Sequence, residues 1–248
     1  MSQHPDAKVN ASYKPEADCW RDLFRDSITR IVIVTRAMTP DEEKFFKDSL
    51  NFTPREDILA FDAVAVIVNN KAKDSIFTMD EIRDILTGTS KYKLRPVMDG
   101  LKATSTVRYA IDSVLKGKPL GPNVTAAQSS EGVLDYVAKN EDAIGFIGVS
   151  WIGNPEDSTQ ISFLQKVRIA SIQCTSCSNE TYVKPYQANI AENRYPMVRR
   201  LYYILKENYA GLGSGFINFL QYERGQLIFK RAYLWPARMP FQVRQVEL

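Results

Sequence analysis

Runs of apolar residues divide the chain into regularly spaced segments. Residues 31–34 read Ile-Val-Ile-Val, and residues 58–68 are apolar at nearly every position. A continuous apolar run bounded by polar residues is typical of a strand buried on both faces. The sequence therefore predicts buried strands over both runs, an alternating strand over 7–13, and shorter strands over 94–98, 143–149, 167–172, 181–183 and 201–205.

Helical signals alternate with these strands. Thr39 with Glu42, and Thr78 with Glu81, have the spacing of a capping box. Glu16 or Asp18 is expected to cap a further helix, and helical periodicity continues over 131–139 and beyond residue 213. Strands that alternate with helices predict an α/β fold with mainly parallel sheets.

One helix begins with three hydroxyl residues, Thr104, Ser105 and Thr106. Apolar residues at i, i+3, i+4, i+7 and i+8 from Val107 predict one buried face, and Gly117 is suited to end the helix. The free N–H groups of such a first turn, with hydroxyl donors beside them, can bind a small tetrahedral anion. The alternative is that one of these hydroxyls is an ordinary N-cap.

Ligands of open α/β sheets bind beyond the carboxyl ends of the strands. Two predicted loops lie at such ends, namely Thr35-Arg36 after the strand over 31–34 and the turn over 104–106 after the strand over 94–98. The sequence therefore predicts that these two loops face one ligand site.

Composition excludes several classes of protein. The 248 residues fit one large domain or two small ones, and 32 basic against 29 acidic residues are too balanced to indicate nucleic-acid binding. The one histidine, His4, lies near the terminus, so neither a Ser/His/Asp nor a Cys/His catalytic arrangement is expected. The sequence therefore gives no indication of an enzyme or of a cofactor. The chain shows no signal peptide or membrane span, so it is cytoplasmic or an export segment is missing from this sequence.

The chain contains three cysteines, Cys19, Cys174 and Cys177. A four-ligand zinc site is not expected, because no second Cys-x-x-Cys pair and no nearby histidine complete it. Unpaired loop or strand cysteines are the simpler interpretation of the pair at 174 and 177. A disulfide in an oxidising compartment is the alternative.

Four blocks in this order and spacing resemble the phosphate-binding proteins of bacterial ABC importers. They are residues 61–69 with 77–88, the turn over 104–106, residues 142–148, and residues 195–202 with 219–226 and 233–236. The resemblance implies a two-lobed type II periplasmic-binding-protein fold with two interlobe crossovers. Lobe one would comprise residues 1–68 and 201–248, and lobe two residues 69–200. Phosphate would lie between the lobes, on the turn over 104–106.

The same resemblance implies a function. The chain would bind inorganic phosphate or a similar oxyanion as the substrate-binding component of an importer, without catalysis and as a monomer. Its partner would be a membrane permease, and its location the periplasm or a lipid anchor at the cell envelope. The alternative is a sensor or interaction module that kept this fold and lost tight anion binding.

Three positions depart from the family pattern. Where the family has an aspartate that accepts the phosphate proton, this chain has Arg36. The family arginine before the anion turn corresponds to Gly100, and the family serine at a helix start corresponds to a position near Asp18. Arg36 is therefore expected to supply a cation, since a guanidinium matches phosphate geometry. Its alternative role is an ion pair with Glu42.

The remaining candidates follow from these departures. Asp18, or second Glu16, is expected to accept the phosphate proton, and a plain helix cap is the alternative. Thr35 and Arg108 complete the predicted contacts. The alternative for Arg108 is that its side chain reaches only solvent. The family also begins with a strand, a ligand-contacting turn and a helix ahead of the position of Ala7. The resemblance therefore implies an N-terminally truncated lobe one.

Overall fold

The computed structural model describes residues 8–100, 104–154 and 156–239. Its helices are α1 (Glu16–Arg25), α2 (Pro40–Leu50), α3 (Met79–Thr87), α4 (Ser105–Tyr109), α5 (Ser130–Lys139), α6 (Ser158–Leu164), α7 (Gln187–Ala191), α8 (Leu212–Gln221) and α9 (Glu223–Arg231). Its strands are β1 (Ile31–Val34), β2 (Arg55–Asn69), β3 (Ile76–Phe77), β4 (Arg95–Met98), β5 (Thr125–Ala126), β6 (Ala143–Gly148), β7 (Val167–Ile169), β8 (Ser171–Gln173), β9 (Tyr182–Val183), β10 (Val198–Leu205) and β11 (Trp235–Pro236). The predicted alternation of strands and helices is confirmed.

Strand β2 belongs to both halves of the main sheet. Its first half, as far as Ala63, pairs with β10 and β11. From Val64 onward it pairs with β6 and β7. Residues 63–68 are all buried, which is why this part of the chain is apolar at every position. The partners of β2 therefore change between Ala63 and Val64.

Parallel pairing occurs in only part of the described sheets. The main sheet has the order β1-β10-β2-β6-β4-β5, in which β4 pairs parallel with β5 and β6. A smaller sheet, β3-β8-β9, contains the parallel pair β3–β8. Every ladder of β2 is antiparallel. Strands β1 and β2 point in the same direction, as predicted, but they do not pair with each other. Strand β10 lies between them in the opposite direction and pairs antiparallel with both.

Helices cover the main sheet through apolar faces. The inner face of α5, with Val133, Leu134 and Val137, packs in one buried cluster with β2 and β6 residues. A second cluster joins α1 and α2 to β1 and β10, and it consists of Trp20, Leu23, Val32, Val34, Met38, Phe46 and Ile204. The second cluster fixes the position of α1 above the end of β1.

Both predicted capping boxes are confirmed. The Thr39 hydroxyl accepts a hydrogen bond from the Glu42 N–H at the start of α2, and the Glu42 carboxylate accepts one from the Thr39 N–H. Thr78 and Glu81 form the same reciprocal pair at the start of α3. The predicted cap of α1 by Glu16 or Asp18 is wrong, because its N-cap is Pro15, without a side-chain hydrogen bond.

Two predicted strands differ from the structure. Residues 8–13 form no strand and are exposed, since no described strand pairs with them; Ala7, the first predicted residue, lies outside the described part. The single strand predicted over 167–172 is two strands, β7 and β8, which belong to different sheets. Ala170 separates them, and its N–H donates to the Val66 carbonyl.

The cysteine pair is oxidised. Cys174 and Cys177 form a disulfide between β8 and β9, and Cys19 is free. The simpler interpretation of unpaired cysteines is therefore wrong, and the disulfide alternative is correct. Among the described residues no group of three or more His, Cys, Asp or Glu side chains is placed to hold a metal ion.

Candidate functional site

The turn predicted to bind an anion opens a helix, as expected. Thr104 is the N-cap of α4, and its hydroxyl accepts a hydrogen bond of 3.2 Å from the Val107 N–H. The N–H groups of Ser105 and Thr106 come before Arg108, whose N–H donates to the Thr104 carbonyl as the first helical hydrogen bond. A π-helical segment, Ala110–Val114, continues α4. The Gly117 N–H then closes the end by donating to the Ile111 carbonyl at 2.8 Å.

Three residues from separate elements meet beside this turn, and we call them the Glu16–Thr35–Arg108 cluster. Glu16 opens α1, Thr35 follows β1, and Arg108 lies on α4. One oxygen of the Glu16 carboxylate accepts hydrogen bonds from the Thr35 N–H and hydroxyl, both at 2.7 Å. The other accepts one from Arg108 Nε at 2.5 Å, while Arg108 Nη2 donates to the Thr35 hydroxyl at 2.7 Å. The structure therefore brings three of the predicted site residues together.

The cluster holds a buried carboxylate in its ionised form. Only 8% of Glu16 is exposed, and burial alone would raise the pKa of its carboxyl. The hydrogen bonds from Thr35 and the charge of Arg108 outweigh this effect, so the pKa of Glu16 lies below its ordinary value. Glu16 is therefore an acceptor without a proton of its own at neutral pH.

A buried ion pair between β2 and β10 contacts the same turn. Asp62 of β2 and Arg199 of β10 are direct cross-strand partners, and 6% and 8% of each residue is exposed. Arg199 Nε and Nη2 both lie 2.7 Å from Asp62 Oδ2. Arg199 Nη1 donates to the Ser105 hydroxyl at 3.1 Å.

This ion pair was not predicted from the sequence. Its signal was Asp62, the one charged residue within the apolar run over 58–68. A charge in a strand buried on both faces needs an opposite charge nearby. The sequence alone does not say which residue supplies it.

Two other predicted residues lie away from the cluster. Both Nη atoms of Arg36 bind the Glu42 carboxylate, at 2.6 and 2.7 Å, and the guanidinium covers the Trp20 ring at 3.9 Å. Asp18 pairs with Arg21 one turn along α1, at 2.7 Å. Arg36 thus follows its alternative, an ion pair with Glu42, whereas Asp18 is outside the cluster and is not the cap of α1 either, because the N-cap is Pro15.

A family model described as a PBP superfamily domain matches residues 1–224. No curated protein matches the chain. No described helix is long and apolar enough to cross a membrane.

Solved structures of similar fold include three from bacteria. A Clostridium perfringens protein with bound phosphate has 20% sequence identity and a TM-score of 0.67, over 90% of this chain and 84% of that one. An ABC-type phosphate transport receptor from Vibrio cholerae has the same identity and TM-score, over 96% and 91%. PstS from Borrelia burgdorferi has 20% identity and a TM-score of 0.57, over 87% and 82%. At this identity the likeness concerns the fold, and the predicted type II periplasmic-binding fold is confirmed.

Proposed function

Because the chain belongs to the PBP (periplasmic-binding-protein) superfamily, we propose that it binds inorganic phosphate or a similar tetrahedral oxyanion. The single observation that carries this proposal is that Arg199 binds the Ser105 hydroxyl on the turn that opens α4, while Arg108 of the same helix binds Glu16 and Thr35. The turn supplies hydroxyl and N–H donors beside Arg199, and guanidinium groups suit oxyanions. The bound phosphate of the Clostridium relative supports this choice of ligand.

We further propose how the binding residues divide the work. Thr104, Ser105 and Thr106 supply donors from α4, as the sequence analysis expects. Glu16, rather than Asp18, accepts the proton of hydrogen phosphate, because Glu16 is the carboxylate that reaches Arg108. Arg36 leaves the set of direct contacts, since its guanidinium binds Glu42 and covers the Trp20 ring instead of joining the Glu16–Thr35–Arg108 cluster.

The lobes remain part of the proposal. We assign residues 1–68 and 201–248 to lobe one and residues 69–200 to lobe two. The strands that cross between them are then β2 and β10. Glu16 and Thr35 would belong to lobe one and Arg108 to lobe two, so the Glu16–Thr35–Arg108 cluster would join the two lobes beside the ligand.

The biological role follows from this assignment. The protein would deliver its anion to the membrane permease of an ABC importer, as a monomer and without catalysis. It would work outside the cytoplasm, in the periplasm or on a lipid anchor. The Cys174–Cys177 disulfide supports an oxidising compartment.

Calorimetric titration tests the proposal directly. Phosphate, sulfate and molybdate are each titrated into the protein up to millimolar concentration. We expect saturable binding of phosphate to one site, and weaker or no binding of the two fully ionised anions. If none of the three binds, the transport role fails and the chain is a module that kept the fold without the ligand.

A further inference from the structure

The Asp62–Arg199 ion pair lies where β2 changes its partners. Asp62 is adjacent to Ala63, the last β2 residue opposite β10, and Val64 is the first opposite β6. Asp62 uses one oxygen for Arg199 and the other for the Ala63 N–H at 2.8 Å. Nε and Nη2 of Arg199 both bind Asp62. The third nitrogen, Nη1, donates to the Ser105 hydroxyl.

The contact with Arg199 excludes one direction for the Ser105 hydroxyl proton. An arginine only donates hydrogen bonds, so the Ser105 oxygen has to accept from Nη1. The hydroxyl proton of Ser105 must then point elsewhere and is available to a further acceptor. Thr35 differs, because its hydroxyl accepts from Arg108 and donates its proton to Glu16.

We propose that Asp62 and Arg199 are positioning residues that make the Ser105 hydroxyl a dedicated donor to the bound oxyanion. This inference rests on the proposed function. Ser105 would then bind an oxygen that carries no proton, whereas Glu16 on the other side of the site takes the protonated oxygen. A ligand that satisfies both sides has at least one ionised and one protonated oxygen, as hydrogen phosphate has.

The Asp62 carboxylate neutralises the buried Arg199 charge but leaves the donors of Nη1 to another acceptor, which is the Ser105 hydroxyl. Cross-strand pairing of Asp62 with Arg199 already satisfies the buried charges of β2 and β10. The contact with Ser105 connects these two strands to α4, which is not part of their sheet.

A double-mutant cycle measured by phosphate calorimetry tests the inference. Ser105→Ala removes the donor, and Arg199→Lys keeps a charge for Asp62 but loses the guanidinium fork that reaches Ser105. We expect each single variant to weaken phosphate binding about 3- to 10-fold, the range of one hydrogen bond. In the Arg199→Lys background, Ser105→Ala should have almost no further effect. Ser105→Thr, which keeps the hydroxyl, should have a phosphate affinity close to that of the wild type.

The matched control is Arg200→Lys. Arg200 is the next residue of β10, is exposed, and lies opposite Phe61 rather than Asp62. We expect its phosphate affinity to equal that of the wild type. If Arg199→Lys fails to fold, Gly148→Ala replaces it in the cycle, since an added Cβ would lie 3.3 Å from Arg199 Nη2.

Two results would overturn the inference while phosphate binding itself stands. One is that Ser105→Ala weakens binding equally in the wild-type and Arg199→Lys backgrounds. The other is that Arg199→Lys lowers the melting temperature but leaves the dissociation constant unchanged. A wild-type protein that binds no phosphate would instead refute the proposed function.

Discussion

The substitution Glu16→Gln tests how the site separates phosphate from sulfate. Glu16 keeps its shape in this variant but loses its charge. At neutral pH hydrogen phosphate carries a proton that can be donated to a carboxylate, whereas sulfate carries none and is repelled by it. We therefore expect the variant to bind phosphate more weakly and sulfate more strongly than the wild type does.

The magnitude follows from the burial of the group. Glu16 is 8% exposed and accepts three hydrogen bonds, so its charge is screened little by water. A hydrogen bond to a charged group contributes about 1.5–3 kcal/mol. The ratio of phosphate to sulfate affinity should therefore fall roughly 10- to 150-fold.

Calorimetric titration of both anions at neutral pH and fixed salt measures this ratio. Asp18→Asn is the matched control, because Asp18 lies on the same helix but pairs with Arg21 at the surface. The control should leave the ratio unchanged. An unaltered ratio in Glu16→Gln would refute the reasoning, and Glu16 would then only tie α1 to α4.

Four further outcomes are expected. Since the pKa of Glu16 lies below its ordinary 4.5, its stabilisation is complete above that pH and declines as pH falls toward and through the lowered pKa. Urea unfolding should therefore show a smaller advantage of the wild type over Glu16→Gln at pH 3 than at pH 7. Replacing Cys174 and Cys177 with serine should lower the unfolding free energy by about 2 kcal/mol, the value for so short a loop, without changing phosphate affinity by calorimetry. Gly145→Ala should cost about 1–3 kcal/mol in the same unfolding assay, because an added Cβ would lie within 2.8–2.9 Å of three core side chains. Arg36→Ala should lower the melting temperature through its lost ion pair but leave anion binding intact in calorimetry, contrary to the role expected from the sequence.

Local rules explain the parts of the fold that the sequence predicts. A capping box needs only residues three apart, and both predicted boxes are present. The strand over 58–68 follows from continuous burial, which its own composition reveals. The turn over 104–106 and the end of its helix near Gly117 are likewise set by neighbours in sequence.

The parts of the fold that the sequence does not predict depend on contacts between residues distant in sequence. The alternating residues 8–13 have the pattern of a strand, but a strand forms only where another strand pairs with it. Glu16 and Asp18 are equally plausible caps in the sequence, and only the end of β1 with Thr35 decides which of them faces Arg108. Asp62 and Arg199 are 137 residues apart, so their pairing depends on the register of β2 and β10.

The charges of the site determine what kind of selectivity it can have. Two carboxylates, Glu16 and Asp62, each bind one of the two guanidinium groups, Arg108 and Arg199. The formal charges of these four side chains cancel, and Asp112 also lies 3.4 Å from Arg108 Nη1, so a long-range positive field does not select the ligand. Selection then depends on where protons lie, with Glu16 free to accept and Ser105 free to donate. Hydrogen bonds made in a partly buried site respond weakly to salt. Preference for phosphate over sulfate should therefore persist at high ionic strength, even where the affinity for both anions falls.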